Sequence, residues 1–413
     1  MSGKKILVLT ASHLCRNPRA VKEAATLGVA GYEVTVMSVS ARADFAAIDM
    51  ELARGLPFRR KVIDYTRTTR SARRAHFIQR TRTWAARQLC TRFGIESAEA
   101  LGPASALLRF ARSHPADLTI AHTEIPLWAA QSLIADGRRI AVDLEDWYSE
   151  DLLAADRRSR PIALLRKAES FALKHAAYVS VPSTSMAAAL RETYDSPAPI
   201  VIRNVFPLPL HTRVASPVET TPPCFVWFSQ TVGPGRGLED FFAAWALTQN
   251  PSRVCLIGGA RPGYCENLLA DLTPERRDQV IILPLMSPGE LAARLADFDI
   301  GLALEPRSPR NKDLTISNKI FQYLGAGLAV VATDTAGQTE VMQATPDSGI
   351  LVPTTEARVF AAQLDALIGN RSRLRERQNA ARAAAEREFC WERESSRLLD
   401  AVSRALSMPV SQP

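Results

Sequence analysis

A polar helix start that follows an apolar strand is the first candidate for binding an anion. The strand ends near Leu304, a polar loop follows, and Ser317 precedes helical spacing over Asn318–Ala326. Ser317 is suited to cap this helix, because its hydroxyl can accept a first-turn N–H. Free N–H groups, the helix dipole and Lys319 together favour a phosphate or diphosphate ligand. An ordinary strand–helix unit of an α/β protein is the alternative.

The glycine-rich loop QTVGPGRG is a second candidate phosphate site. Gly233, Gly235 and Gly237 permit close approach of a ligand to the backbone. Arg236 supplies a guanidinium, which binds phosphate oxygens through charged hydrogen bonds. A tight turn without a ligand is the alternative interpretation of these glycines.

A histidine and three acidic residues follow two other predicted strands. His122 ends the run LTIAH, and Asp143, Glu145 and Asp146 lie at the end of the run IAVDLED. Ligands bind at the carboxyl ends of parallel strands, so His122, Glu145 and Asp146 are candidate catalytic residues. Carboxylates so close together are expected to raise one another's pKa and to supply a base. A structural histidine and helix-capping carboxylates are the alternatives.

Alternating strands and helices must position these residues. Apolar runs and helical spacing predict a strand–helix–strand start over KILVLT, residues 19–29 and YEVTVMSV. Further strands are predicted at 118–122, 140–146, 178–181 and 200–203. After a proline-rich stretch the pattern restarts, with strands at 224–229, 253–259, 280–285, 299–304 and 328–332 and a helix at 238–247. Such alternation predicts parallel sheets with helices on both faces.

The proline-rich stretch at residues 206–223 contains five prolines and is the predicted linker. It separates a first domain at 1–205 from a second at 224–385, followed by a helical segment at 386–413. We predict an α/β architecture of two Rossmann-like, doubly wound domains that face a central cleft. The last helix is expected to pack back toward the first domain.

Composition limits the class of protein. The chain has 413 residues, 46% apolar and 23% charged, which predicts a globular protein of two domains. Six scattered cysteines without a C-x-x-C pair argue against a disulfide framework or a zinc site. The first apolar run is too short for a signal peptide, and no run is long enough to span a membrane. A cytoplasmic location is expected.

The net charge of +8 is concentrated in one segment. Residues 54–92 carry twelve basic residues and one acidic residue, whereas the remainder of the chain is net negative. Helical spacing of Trp84, Leu89 and Phe93 predicts a helix at 83–93. The segment could be a solvated helical face, a surface for anionic membranes or a nucleic-acid site. No nucleic-acid motif accompanies it, so the membrane surface is preferred and nucleic acid is not expected.

Six segments, spread over nearly the full length, carry a resemblance to a known family: NPRAVKEAATLGVAGYEVTV, AVDLEDWYSED, VIRNVFPL, FVWFSQTVGPGRGLED, SNKIFQYLGAGLAVVATDTAGQTEV and FCWE. Through them the chain resembles the GT-B-fold glycosyltransferases of the family-four, or group-one, type. The last three segments together are the specific part of this resemblance.

The resemblance implies a nucleotide-sugar donor on the second domain, a glycan, lipid-linked or small-molecule acceptor on the first, and sugar transfer with retention. No cofactor or metal is expected, because Arg236, Lys319 and the helix start can offset the diphosphate charge. The implied setting is polysaccharide or glycoconjugate synthesis, peripheral to the inner face of the cytoplasmic membrane. The implied donor-binding residues are Gly233, Gly235, Arg236, Gly237, Ser317, Asn318, Lys319, Gln322, Gly337 and Gln338, and Asn17 and Arg19 are implied on the acceptor side.

The chain departs from the family pattern at four positions. Gln230 takes the place of the first basic residue of the glycine-rich loop, and Leu314 and Gln322 take the places of two glutamates. Gln322 can still hydrogen-bond ribose hydroxyls, whereas Leu314 offers only its backbone. Many relatives have histidine where this chain has Glu145. Glu305 lies too far upstream to replace either glutamate and is interpreted as a solvated loop residue.

Two other functions stay open at the level of sequence. An inverting GT-B enzyme would use His122, Glu145 or Asp146 as its base. A catalytically silent relative would retain the fold and bind nucleotide sugars, or act as a scaffold, without turnover.

Overall fold

The computed structural model describes residues 3–153, 156–209, 221–353 and 356–409. The predicted linker at 206–223 lies largely outside the described residues, which omit 210–220. The chain divides into two compact units, of which one comprises residues 1–202 with 395–413 and the other comprises residues 203–394. We call them the first and second domains.

Seven strands form the sheet of the first domain: β1 (Lys5–Thr10), β2 (Glu33–Ser40), β3 (Arg59–Asp64), β4 (Leu118–His122), β5 (Ile140–Asp143), β6 (Tyr178–Val181) and β7 (Ile200–Val201). All are parallel, in the order β3-β2-β1-β4-β5-β6-β7. The α-helices are α1 (Pro18–Val29), α2 (Ala43–Leu52), α3 (Arg70–Phe93), α4 (Ala104–Ser113), α5 (Glu124–Ala135), α6 (Ile162–His175) and α7 (Thr184–Tyr194).

Apolar runs explain the central strands of this sheet. Val8 of β1 pairs with Val36 on one side and Ile120 on the other, and all three are fully buried. Strands that are covered on both faces have continuous apolar sequences. The predicted bounds of β1, β4 and β6 are confirmed.

Six parallel strands form the sheet of the second domain: β8 (Cys224–Val232), β9 (Arg253–Ala260), β10 (Val280–Leu283), β11 (Ile300–Ala303), β12 (Ala329–Thr333) and β13 (Gly349–Val352). Their order is β10-β9-β8-β11-β12-β13. Its α-helices are α8 (Leu238–Trp245), α9 (Tyr264–Leu268), α10 (Pro274–Arg277), α11 (Pro288–Leu295), α12 (Arg310–Leu314), α13 (Asn318–Ala326), α14 (Ala336–Ala344), α15 (Ala357–Ile368) and α16 (Arg371–Arg387). The final helix, α17 (Trp391–Ser407), contains the division at 394/395.

The core of the second domain is aromatic. Phe225 and Trp227 of β8 are fully buried and belong to one cluster with Phe241, Trp245 and Leu302. Phe225 and Phe241 meet edge to face, with ring centroids 5.4 Å apart. This packing fixes α8 against the sheet.

Two edge strands were missing from the sequence prediction. β3 has the sequence RRKVID and is largely exposed, so it lacks the apolar run that marks a central strand. β13, at the other end of the second sheet, is only four residues long. A Cβ at Gly349 would lie 2.0 Å from the Val330 carbonyl oxygen, so this strand needs glycine to pair closely.

Helix α3 is much longer than predicted, since it begins at Arg70 rather than at Thr83. Its buried residues are Ala72, Ala86 and Cys90, whereas the aromatic positions that suggested the helix are exposed. Small residues therefore face the domain, and large apolar side chains face outward.

The carboxyl end of α17 belongs to the first domain. Leu398 and Val402 are fully buried, and Arg139 donates to the Met408 carbonyl oxygen over 2.6 Å. All six cysteines lie within the described residues and are free thiols. Within the described part of the chain, no helix is long and apolar enough to cross a membrane.

In each sheet the earlier strands of the chain extend to one side of the first strand and the later strands extend to its other side, so the strand order reverses there. In the first domain the reversal lies between β1 and β4, and in the second it lies between β8 and β11. Ligands of open parallel sheets bind outside the carboxyl ends of the strands at such a reversal. Each domain therefore offers one such edge.

Candidate active site

The candidate donor site lies at the carboxyl ends of β8, β11 and β12, which are neighbours in the sheet. The glycine-rich loop follows β8, Glu305 follows β11, and α14 follows β12. The predicted helix α13 has the expected bounds, and Gly327 ends it in the left-handed conformation with φ 72°.

Lys319 is a largely buried cation of this site. Its side chain is only 12% exposed, and Nζ lies 2.9 Å from Glu305 Oε1. Nζ also lies 5.6 Å from the centroid of the Trp227 ring, a distance at which the ring attracts a cation. The ammonium is therefore held at the start of α13, where the helix dipole adds positive potential.

Ser317 occupies the residue before α13, as predicted, but its side chain does not cap the helix. The hydroxyl donates to Glu305 Oε1 over 2.9 Å. The side chain is therefore oriented toward the carboxylate, and the first-turn N–H groups of α13 receive no hydrogen bond from it.

The interpretation of Glu305 as a solvated loop residue is wrong. Its side chain is only 13% exposed and accepts from Lys319 and Ser317. Burial acts to raise the pKa of Glu305, but Lys319 and Lys312 outweigh it, and the pKa is lowered. The signal for a site residue was its place directly after a predicted strand.

The start of α14 is packed tightly against the loop before α13. A Cβ at Gly337 would lie 2.6 Å from the Thr315 carbonyl oxygen and 2.7 Å from that of Leu314. Gln338 is fully buried and donates from Nε2 to the Thr333 carbonyl oxygen and to Thr333 Oγ1. Gly337 and Gln338 thus support the site from beneath its surface.

The remaining predicted donor residues differ in exposure. Gly235 and Gly237 both have φ of 73°, and a Cβ at Gly237 would lie 2.9 Å from Leu304 Cβ. Arg236 between them is exposed. Asn318 is exposed and Gln322 is half-buried, while Gly233 is buried. Lys319 and Gln322 are three residues apart on α13 and share a helix face.

The first domain holds a buried charged cluster at the ends of β4 and β5. Arg19 of α1 donates from Nε and Nη2 to the two carboxylate oxygens of Asp143, over 2.6 and 2.7 Å. Its Nη1 donates to the Ile202 carbonyl oxygen, and both charged side chains are fully buried. Arg19 is therefore part of the framework of the first domain.

The expected mutual rise of carboxylate pKa values is wrong for Asp143. Burial acts to raise the pKa of Asp143, but Arg19 and His122 outweigh it, and the pKa falls below its usual value. Ser180 donates to the same carboxylate over 2.6 Å. Asp143 is therefore a buried anion with its oxygens occupied.

His122 lies among three carboxylates. Nδ1 is 3.1 Å from Asp143 Oδ2 and 3.2 Å from Glu145 Oε1, and Nε2 is 3.3 Å from Glu23 Oε2. Burial alone would lower the pKa of His122, but these neighbours raise it well above its usual value. A protonated imidazolium can orient Glu145, but it has no lone pair with which to accept a proton.

Glu145 is the more accessible end of this network. Its side chain is 21% exposed and accepts from Asn17 Nδ2 over 2.7 Å. Asn17 also caps α1, because its Oδ1 accepts from the Ala20 N–H. Asp146 is half-buried beside Glu145. The structure thus brings Asn17, His122 and Glu145 together.

Ligand atoms of Glu23, His122 and Asp143 lie within 4.8 Å of one another, a spacing suited to a metal ion. These acidic residues are, however, already arranged around the guanidinium of Arg19 rather than around a metal ion. Its guanidinium already donates to both oxygens of Asp143 and lies 3.4 Å from Glu23 Oε1. A metal ion would have to displace this cation.

A family model matches part of the second domain. Residues 222–370 match the family model described as Glycosyl transferases group 1. This segment of the second domain is therefore similar to group 1 glycosyltransferases, and the resemblance predicted from the sequence is confirmed. Comparison with the curated proteins gives no match.

Solved structures match nearly the whole chain at low sequence identity. Sucrose-phosphate synthase from Thermosynechococcus elongatus has a TM-score of 0.73 at 14% identity, covering 97% of this chain and 99% of its own. HepE from Anabaena in complex with UDP-glucose has a TM-score of 0.66 at 17% identity, covering 97% and 100%. WaaG, a glycosyltransferase involved in lipopolysaccharide biosynthesis, has a TM-score of 0.60 at 13% identity, covering 95% and 98%. The predicted GT-B fold, with two Rossmann-like domains, is confirmed.

Proposed function

We propose that the protein transfers a sugar from a nucleotide-sugar donor to a glycan, lipid-linked or small-molecule acceptor. The observation that carries this proposal is Lys319, held by Glu305 and Trp227 at the start of α13, within the segment that matches the group 1 glycosyltransferase model. A diphosphate leaving group needs a fixed positive charge at this kind of position. HepE, which has the same fold, was solved with UDP-glucose, and this supports a nucleotide sugar as the donor.

Lys319, Arg236 and the N-terminus of α13 would bind the diphosphate, and Gln322 would hydrogen-bond the ribose. These cationic groups can offset the leaving-group charge, and we propose that the reaction needs no metal ion. Arg236 is exposed and can close on a phosphate when the donor binds.

Retention is the stereochemical outcome that we propose. In such a reaction the leaving phosphate takes the acceptor proton on the same face of the sugar. The inverting alternative assigns the base to Glu145 or Asp146, which are half-buried after β5, whereas Asp143 beside them is fully buried. NMR of the anomeric proton in the product separates the two, since an inverted product would rule out retention.

A panel of nucleotide sugars tests the function itself. A donor that binds the folded state raises the melting temperature, and turnover releases the nucleoside diphosphate when acceptor is added. We expect one donor class to do both. Binding without release in the presence of acceptor extracts would favour a catalytically silent relative.

The exposed face of α3 supports a second part of the proposal, that the protein docks on an anionic membrane surface. Phe77 is 72% exposed and Trp84 is 63% exposed, seven residues apart on one helix face. Arg73 and Arg80 lie three or four residues from them and flank the same face. An aromatic strip with arginines beside it suits the headgroup region of a membrane. Such docking would supply lipid-linked acceptors for polysaccharide or glycoconjugate synthesis at the inner face of the cytoplasmic membrane.

Vesicle sedimentation tests this surface. We expect binding to phosphatidylglycerol vesicles but not to phosphatidylcholine vesicles, with loss of binding in Trp84→Ser and at high salt. Val29→Ser, which changes another exposed apolar residue of the first domain, is the control. Equal binding of both variants would exclude the α3 face, and strong salt-dependent binding to RNA or DNA instead would point to nucleic acid.

A further inference from the structure

Glu305 is an acidic residue inside a site that is proposed to bind an anion. We propose that Glu305 positions Lys319 and balances its charge, so that the site binds the donor without retaining the more negative nucleoside diphosphate product. This inference rests on the proposed donor site of the second domain. It assigns a role to a carboxylate that lies outside the positions of the two family glutamates.

The side-chain contacts show how Lys319 is positioned. Glu305 Oε1 accepts from Lys319 Nζ and from Ser317 Oγ, each over 2.9 Å. The centroid of the Trp227 ring lies 5.6 Å from the ammonium nitrogen. An ammonium has three N–H donors, so it can hold the carboxylate and still donate to a phosphate oxygen.

The backbone of Glu305 is itself fixed. Its N–H donates to Thr333 Oγ1 over 2.9 Å, and this hydroxyl donates back to the Glu305 carbonyl oxygen over 2.7 Å. Gln338 Nε2 donates to the same hydroxyl over 2.9 Å. These bonds join the ends of β11 and β12, so the position of the carboxylate is set by the sheet.

Sugar transfer adds negative charge to the diphosphate. The bond from the anomeric carbon to the phosphate oxygen breaks, and its electron pair stays on that oxygen. The acceptor oxygen forms the new bond, and its proton passes to the leaving phosphate and from there to solvent. The released nucleoside diphosphate therefore carries more negative charge than its diphosphate carried in the donor. A lysine without a partner would favour this product over the donor, whereas an ionised Glu305 reduces that preference.

Affinity for UDP in the full-length protein tests the inference by titration calorimetry. Glu305→Gln keeps an oxygen that can accept from Lys319 but removes the charge, so we expect UDP to bind about tenfold more tightly and kcat to fall as release slows. Glu305→Asp keeps the charge but shortens the reach, so no tightening is expected. Lys319→Ala should weaken binding at least tenfold, and Glu305→Gln combined with Lys319→Ala should match Lys319→Ala within about twofold. Glu376→Gln, an exposed glutamate of α16, is the control.

The outcomes separate the inference from the function on which it rests. If Lys319→Ala weakens UDP binding but Glu305→Gln leaves it unchanged or weakens it, the charge-balancing role is refuted and the donor site stands. Tightening by Glu305→Gln in the absence of Lys319 would also refute it. If the wild-type protein binds neither UDP, GDP nor any other nucleoside diphosphate of the donor panel, both proposals fail. Melting temperatures of all variants establish that each is folded.

Discussion

Replacing Arg19 with methionine should destabilise the first domain severely. The substitution removes donors that lie 2.6 and 2.7 Å from the Asp143 carboxylate, while that carboxylate stays fully buried. Breaking a buried pair by removing one partner typically costs about 3–5 kcal/mol, because the remaining charge is uncompensated. In a domain of this size such a loss lowers the melting temperature by roughly 6–20 °C.

Arg112→Met provides a matched control in the same domain. Arg112 donates to both oxygens of Asp136, over 2.8 and 3.3 Å, but the two side chains are 49% and 36% exposed. Exposed pairs contribute little, so no resolvable loss is expected. Urea denaturation, followed by hydrogen exchange of the peptides that contain β4 and β5, measures the first domain separately. Equal losses in the two variants would refute the argument that burial makes the Arg19 pair essential.

Three further predictions concern the second domain. Gly337→Ala should lower the free energy of unfolding by about 1–3 kcal/mol, because its Cβ would lie 2.6 and 2.7 Å from two carbonyl oxygens. Gly289→Ala in α11, where the Cβ meets no atom within 4 Å, should raise it by up to about 1 kcal/mol. Urea denaturation measures both changes. Because the pKa of Glu305 is lowered in the folded protein, its ionised carboxylate stabilises the fold at pH values above the unfolded-state pKa of about 4.3. This stabilisation is lost as the pH falls through the folded-state pKa of Glu305. The stability difference between wild type and Glu305→Gln should therefore be largest near pH 7 and vanish at low pH; a constant difference would contradict this. Chelation of divalent metals with EDTA should leave sugar transfer unchanged in a nucleotide-release assay.

The central strands of this protein are predictable from the sequence, because burial on both faces leaves a continuous apolar run, and the start of α13 is predictable from the serine at its N-cap position. β1, β4 and α13 show this. The edge strands β3 and β13 cannot be predicted in this way, since an edge strand pairs on one side only and tolerates charged residues or a short length. The full length of α3 was missed because alanine and cysteine, not large apolar residues, face the domain.

Site residues were predictable where strand ends place them, but their contacts were not. His122, Asp143 and Glu145 lie together because β4 and β5 are neighbours, which the sequence implies. The partner that lowers the pKa of Asp143 is Arg19, more than one hundred residues away, and no local pattern indicates this pairing. The interpretation of Glu305 as a solvated loop residue is wrong for the same reason, because its partners come from a helix start beyond a loop.

The rate of sugar transfer by Lys319→Ala tests the central claim most directly. The donor is the one selected from the nucleotide-sugar panel, and Lys174→Ala, an exposed lysine of the first domain, is the control. Losing a charged hydrogen bond costs about 1.5–3 kcal/mol, so kcat/KM should fall at least about tenfold in Lys319→Ala and stay unchanged in the control. Equal kcat/KM in the wild type and in a folded Lys319→Ala protein would contradict the assignment of the donor diphosphate to the start of α13.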